Sequence, residues 1–243
     1  MCSKDWTRVP SLEARHPTRD VYAAVRLLGA AFLQALFFWF LLLAFAVKMP
    51  FSIRDFDPVV IILSMFLGIA EMAVATLLGY TAMRSVAFLD AVAGRRSPAW
   101  SGVAKGGWIQ MYFKTIEVLP IPWGAFAVFA YIAFEECIFR GFMVGILLPV
   151  GPYCAVVGST ILFAGYQIFH TPGWRTALFP ILGASVVGIV HGVLYIESSN
   201  IIPLIIAHSC FFGSALWSFK SIDTASGYRE ARADVGGKSP SYF

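Results

Sequence analysis

The chain has 243 residues, of which 58% are hydrophobic, 16% aromatic and only 13% charged. Soluble domains carry about 25% charged residues, so this composition excludes a water-soluble enzyme and describes an integral membrane protein. The net charge of +4 does not mark a nucleic-acid binder, because the basic residues are distributed as membrane topology distributes them.

Residues 1–26 form a basic arm with Lys4, Arg8, Arg15, Arg19 and Arg26. No short apolar run precedes a small-residue cleavage site, so no secretory signal is expected. Cys2 is not read as a lipidated terminus. The first apolar run, 27–47, is long enough to remain as a span. Lys48, Arg54, Asp55 and Asp57 follow in a short loop placed outside. The second span is expected over 58–83, with Pro58 suited to a helix start. Glu71 lies in its middle, and the expected role is a buried carboxyl, protonated or bonded to a neighbouring helix.

The stretch 84–114 is the most basic loop, with Arg84, Arg95, Arg96, Lys105 and Lys114. It contains several glycines but no Walker or dinucleotide pattern, so they do not indicate phosphate binding. Within it, 85–92 is amphipathic and is expected on the membrane surface, as is a short helix over 108–119. Four further spans follow over 123–148, 152–170, 177–196 and 201–219. The polar tail 221–243 is expected to be disordered.

Six spans put both termini in the cytoplasm. Of 18 Lys and Arg, 15 then fall on the cytoplasmic side, Lys48 and Arg54 fall outside, and Arg140 lies within the membrane. That asymmetry is what orients a membrane protein. The expected class is therefore all-α, a polytopic transmembrane helix bundle of about six spans. The cysteines at 2, 137, 154 and 210 form no CxxC and suggest no disulfide framework.

The chemistry gathers in the last four spans. Glu135, Glu136 and Arg140 interrupt an otherwise apolar run from Trp123 to Val150. A charge at the bilayer centre costs about 2.5–3.5 kcal/mol, and nothing in fold maintenance requires it. Glu136 and Arg140 are four apart and share a helix face. Glu135 points roughly 100° away and is left for chemistry. His170, His191 and His208 lie on the later spans. His191 is read as structural. A carboxylate and a histidine meeting in a low-dielectric cavity can activate water, and a second histidine can donate to the oxyanion of a tetrahedral intermediate. The same Glu, His and His can also ligate a divalent metal such as zinc, although no HExxH pair supports a zincin site. The metal-free reading is preferred.

Glu135–Glu136–x–x–x–Arg140 resembles the EExxxR signature of the CAAX-protease and bacteriocin-processing family of intramembrane proteases, which is similar to the prenyl-protein endopeptidase of CAAX proteins. Tyr166–x–x–x–His170 is similar to that family's FxxxH motif, with Tyr for Phe. His208 matches its third-motif histidine, but four residues on stands Phe212 where the family has Asn. The resemblance covers about 120–215.

It implies that Glu135 activates water, assisted by His170. Glu136 and Arg140 would form a supporting pair, with Tyr166 behind His170, and His208 would stabilise the oxyanion. Charge and hydropathy divide the chain into a basic cytoplasmic arm at 1–26, two spans and a basic loop over 27–119, a helix bundle over 120–220 that the resemblance implies is catalytic, and a disordered tail over 221–243. The expected partners are a peptide or protein substrate at the membrane and the lipid bilayer, with no nucleic acid and no cofactor. A bacterial inner membrane is the expected location.

Two other readings stay open. One is a catalytically impaired, protease-like protein acting as a binding, immunity or scaffold factor, favoured by Phe212. The other is a small transporter using Glu71, Glu135 and the histidines. Helix rise alone puts Glu135 roughly 22 Å and His170 roughly 28 Å from the outer turn near Pro149, but His208 only about 12 Å from its own outer turn. On that count His208 should stand away from the glutamates.

Overall fold

The computed structural model describes residues 17–45, 57–95, 108–169, 171 and 173–218. Among them every regular element is helical. Helix α1 is Pro17–Phe45, α2 is Pro58–Val92 and α3 is Trp108–Val118. Helix α4 begins as Ile121–Glu136, passes through a π-helical stretch at Cys137–Val144 and ends in Gly145–Leu147. Helix α5 is Pro152–Ile168, α6 is Trp174–Ser198 and α7 is Ile202–Ser218. A helix stands at each of the six expected spans, and α3 is additional. Three stretches, Val21–Phe45, Pro58–Val92 and Trp174–Ser198, are long and apolar enough to cross a membrane, and α7 is a shorter apolar helix. Their outward faces carry Phe32, Leu36, Phe66, Leu77 and Ile189, all exposed. Apolar side chains there suit lipid, in which only helices or closed barrels can satisfy their own backbone.

Local chemistry sets the helix starts. Asp57 caps α2, its Oδ1 accepting from the Val59 N–H at 2.8 Å, with Pro58 in the first turn, as N-terminal preferences require. The α4–α5 turn passes through Gly151 at φ +142°, a conformation that favours glycine, and Pro152 then opens α5. Asn200 Oδ1 accepts from the Ile202 N–H at 3.1 Å and caps α7.

Two expectations for the basic region are corrected. The stretch 85–92 is not a separate surface helix but the continuation of α2, which runs unbroken to Val92. The cause is Asp90, which is buried and pairs with Arg175 of α6 at 2.8 Å and more distantly with Arg95 at 3.9 Å. The helix at 108–119 forms, but it is packed inside the protein against α1 and α4. Met111, Tyr112 and Thr115 are buried there, and this spacing gives α3 an inward face. The arm to residue 16, residues 46–56 with Lys48, Arg54 and Asp55, the whole of 96–107 and the tail from 219 lie outside the described residues.

The bundle closes where side chains are smallest. A Cβ on Gly68 of α2 would stand 1.9 Å from the Ala207 carbonyl oxygen of α7, so these two backbones touch. Helices α5 and α6 meet closely at Gly188, whose added Cβ would reach Thr160. Small residues let membrane helices approach in this way. Both contacts tighten the bundle around the middle of α4, where the charged residues lie.

Candidate functional site

The π-helical stretch begins immediately after the two glutamates and carries Arg140. Such stretches are rare and occur often at functional sites. Widening the helix frees carbonyls from the usual i→i−4 pattern. The Ser159 hydroxyl of α5 donates to the Phe139 carbonyl at 2.6 Å, one contact that stabilises the widened turn. Arg140 is wholly buried. Its Nε lies 3.4 Å from Glu136 Oε2, and its guanidinium sits 4.3 Å from the centre of the Phe163 ring. The expected Glu136–Arg140 pair therefore exists, supported by a cation–π contact from α5.

Glu136 also meets two histidines, hydrogen-bonded to His208 and within ion-pair distance of His191. His208 Nδ1 of α7 stands 2.6 Å from Glu136 Oε1, and His191 Nδ1 of α6 stands 3.2 Å from Oε2. On its far side His191 Nε2 lies 3.3 Å from Glu71 Oε2 of α2. All four side chains are buried. A single line thus runs Glu71–His191–Glu136–His208 across four helices, with Arg140 attached at Glu136. The separation of His208 from the glutamates expected from helix rise is corrected. That count started α7 at the membrane surface, whereas Ile201 and Leu204 are fully buried. The helix begins inside the protein, and this brings His208 level with α4.

Glu135 faces another way. Tyr131, one turn earlier on α4, and Gln167 of α5 are within side-chain hydrogen-bond reach of its carboxylate. The Tyr131 hydroxyl contacts that of Tyr166 at 3.1 Å, and Gln34 Nε2 of α1 donates to Tyr166 at 3.1 Å. Among the described residues no cation lies within ion-pair distance of Glu135. The adjacent carboxylates therefore occupy different environments: Glu136 is held by an arginine and histidines, and Glu135 by the Tyr131 phenol and the Gln167 amide. Tyr166 and Gln34 also line a cavity of about 860 Å³ between α1, the π stretch and α5, otherwise walled by apolar groups such as Leu33, Phe37, Ile138 and Met143.

Phe212 takes the place expected of Asn. Its ring stacks on His208, with centroids 4.9 Å apart and planes 25° apart, and Tyr112 of α3 meets its other side edge-on at 5.0 Å. His170 lies outside the described residues. Of the other expected site residues, Glu136, Arg140 and His208 come together directly, and Glu135 and Tyr166 are joined through Tyr131. The sequence reading set His191 aside as structural and did not single out Tyr131, Gln167 and Gln34. The spacing of Tyr131 four residues before Glu135 was an available signal, since it places both on one helix face. Nothing comparable marked His191, whose partners are distant in the chain. Among the described residues no group of three or more His, Cys, Asp or Glu side chains is arranged to hold a metal ion, and Arg140 already sets a cation against Glu136.

The fold and site define a membrane-embedded α-helical bundle built around buried glutamates and histidines. Within it, residues 117–212, from the end of α3 into α7, match the family model described as Rce1-like, type II CAAX prenyl endopeptidase Rce1-like. That stretch is similar to an Rce1-like domain, in keeping with the resemblance of its motifs to the CAAX-protease and bacteriocin-processing family. No curated protein and no solved structure matches the chain.

Proposed function

We propose that the protein is an intramembrane endopeptidase that hydrolyses a peptide bond of a membrane-associated peptide or protein. The observation that carries this reading is the unequal treatment of Glu135 and Glu136. Glu136 is compensated by Arg140, His191 and His208. Glu135 is equally buried but faces only neutral donors among the described residues. A buried carboxylate with no cation at ion-pair distance is costly for stability and suited to moving a proton.

In the proposed reaction Glu135, assisted by His170, takes a proton from water as the water oxygen attacks the scissile carbonyl carbon. The tetrahedral oxyanion is met by the Nε2–H of His208 in its imidazolium form, whose Nδ1–H donates to Glu136. The proton on Glu135 passes to the amide nitrogen, the C–N bond breaks, and an acid and an amine leave. Tyr131 and Gln167 orient Glu135, and Arg140 pairs with Glu136. The apolar cavity beside Tyr166 suits a hydrophobic part of the substrate, and the site uses no cofactor. Both termini are proposed to be cytoplasmic, in a bacterial inner membrane.

Phe212 favours a second reading, a protease-like binding factor, because an aromatic ring stands where an oxyanion donor is expected. Peptide cleavage by the reconstituted protein in ¹⁸O-labelled water separates the two. Hydrolysis puts one labelled oxygen into the new carboxylate of the N-terminal product. Peptide binding with no labelled product over a broad library would overturn the enzymatic reading.

A further inference from the structure

His191 stands between two carboxylates, with Nδ1 at 3.2 Å from Glu136 and Nε2 at 3.3 Å from Glu71. An ionised carboxylate offers only acceptors, and a neutral imidazole has one N–H and one lone pair. A neutral ring would therefore turn a lone pair towards one of the two anions. A ring carrying hydrogen on both nitrogens opposes both. The surroundings lead to the same conclusion. Glu71 comes from α2, Glu136 and its partner Arg140 from α4, and His208 from α7, with ring centroids of the two histidines 5.9 Å apart. Helix α5 brings Thr160 against Gly188 and adds no charge. Glu135, beside Glu136 on α4, also interacts with Arg140, so three carboxylates surround one arginine, and a doubly protonated His191 offsets part of the excess negative charge.

We propose that Glu71 and His191 are positioning residues for Glu136 and, through it, for His208. Glu71 holds His191 in the form that donates from both ring nitrogens. His191 then fixes Glu136 Oε2 and leaves Oε1 to orient the His208 ring. Glu71 lies outside the matched stretch 117–212, so α2 completes a site that this stretch does not contain by itself. The proposal deepens the protease reading, and its consequences for turnover rest on that reading, but the state of His191 does not.

The test is ¹⁵N NMR of the full chain in lipid with labelled histidine, the His191 signals being assigned by their loss in His191→Gln. The expected result is two protonated ring nitrogens on His191 at neutral pH, converting to one in Glu71→Gln and restored in Glu71→Asp. A neutral His191 ring in the wild-type protein would overturn the proposal, even if Glu71→Gln failed to fold. In the cleavage assay Glu71→Gln is expected to lower kcat about tenfold with KM unchanged and to alter the pH profile. A pH profile and kcat identical to wild type would overturn the coupling to His208. If wild-type protein cleaves nothing while the two-proton signature is present, the protease reading fails and the placement of His191 stands.

Discussion

His208 Nδ1 lies 2.6 Å from Glu136 Oε1, so the histidine on α7 is bound to the second glutamate of the pair. The same carboxylate lies 3.4 Å from Arg140, with both side chains fully buried. Glu136 is thus the structural centre of the site. Removing one member of a buried charge pair destabilises a protein by about 3–5 kcal/mol, because the other is left uncompensated. Glu136→Gln and Arg140→Met are each expected to lower the thermal midpoint in detergent markedly. A midpoint equal to wild type in either variant would contradict the assigned pairing.

Gly68 sets the distance between α2 and α7. Any side chain there meets the Ala207 backbone, one residue before His208. Overpacking commonly costs about 1–3 kcal/mol, and a backbone obstacle puts this site at the upper end. Gly68→Val is expected to lower stability and reduce activity by displacing His208, whereas Gly29→Val, at a position with no neighbouring atom within 4 Å, should leave both unchanged. Thermal unfolding of the two variants together gives the comparison.

Asp90 and Arg175 join the end of α2 to the start of α6 at 2.8 Å. Asp90 is buried and Arg175 partly so. Loss of a charged hydrogen-bond partner leaves a penalty of about 1–3 kcal/mol. Asp90→Asn is expected to destabilise by an amount in this range, and a double-mutant cycle with Arg175→Met should show that most of the loss belongs to the pair. Additive effects in the cycle would refute this.

Phe212 is packed between His208 and Tyr112. Large-to-small changes at buried aromatic positions cost about 3–5 kcal/mol. Phe212→Asn is therefore expected to lower stability while placing an amide donor next to His208. One additional oxyanion donor is worth about 10²–10³ in rate, so turnover per folded molecule should rise. Lower turnover per folded molecule would show that the ring itself serves the site.

These elements separate what was legible in the sequence from what was not. The carboxylate pair, its arginine and the helical class followed from spacing and composition, because i,i+4 neighbours and long apolar runs are local properties. The meeting of His208 with Glu136 was not legible. Helix rise measures depth only from a helix that starts at the membrane surface, and Ile201 is buried. The packing of α3 was hidden by its mixed polarity, although Tyr112 and Thr115 face inward. The π-helical widening at Cys137–Val144 has no signature in that stretch. Glu71 and His191 were each visible as buried polar residues, but their contact depends on how α2 and α6 pack, which no local pattern specifies.

The central claim is that Glu135, and not Glu136, carries the proton-transfer chemistry. The most direct test compares wild-type protein with Glu135→Gln in liposomes against a fluorogenic peptide library, with thermal unfolding followed alongside. Glutamine can still hydrogen-bond Tyr131 and Gln167 but cannot accept the proton from water. The expected result is cleavage by wild type, a fall to about one hundredth or less in Glu135→Gln, in keeping with the 10²–10⁴ typical of general base catalysis, and an unfolding midpoint equal to or above that of wild type. Cleavage by Glu135→Gln at the wild-type rate would contradict the account.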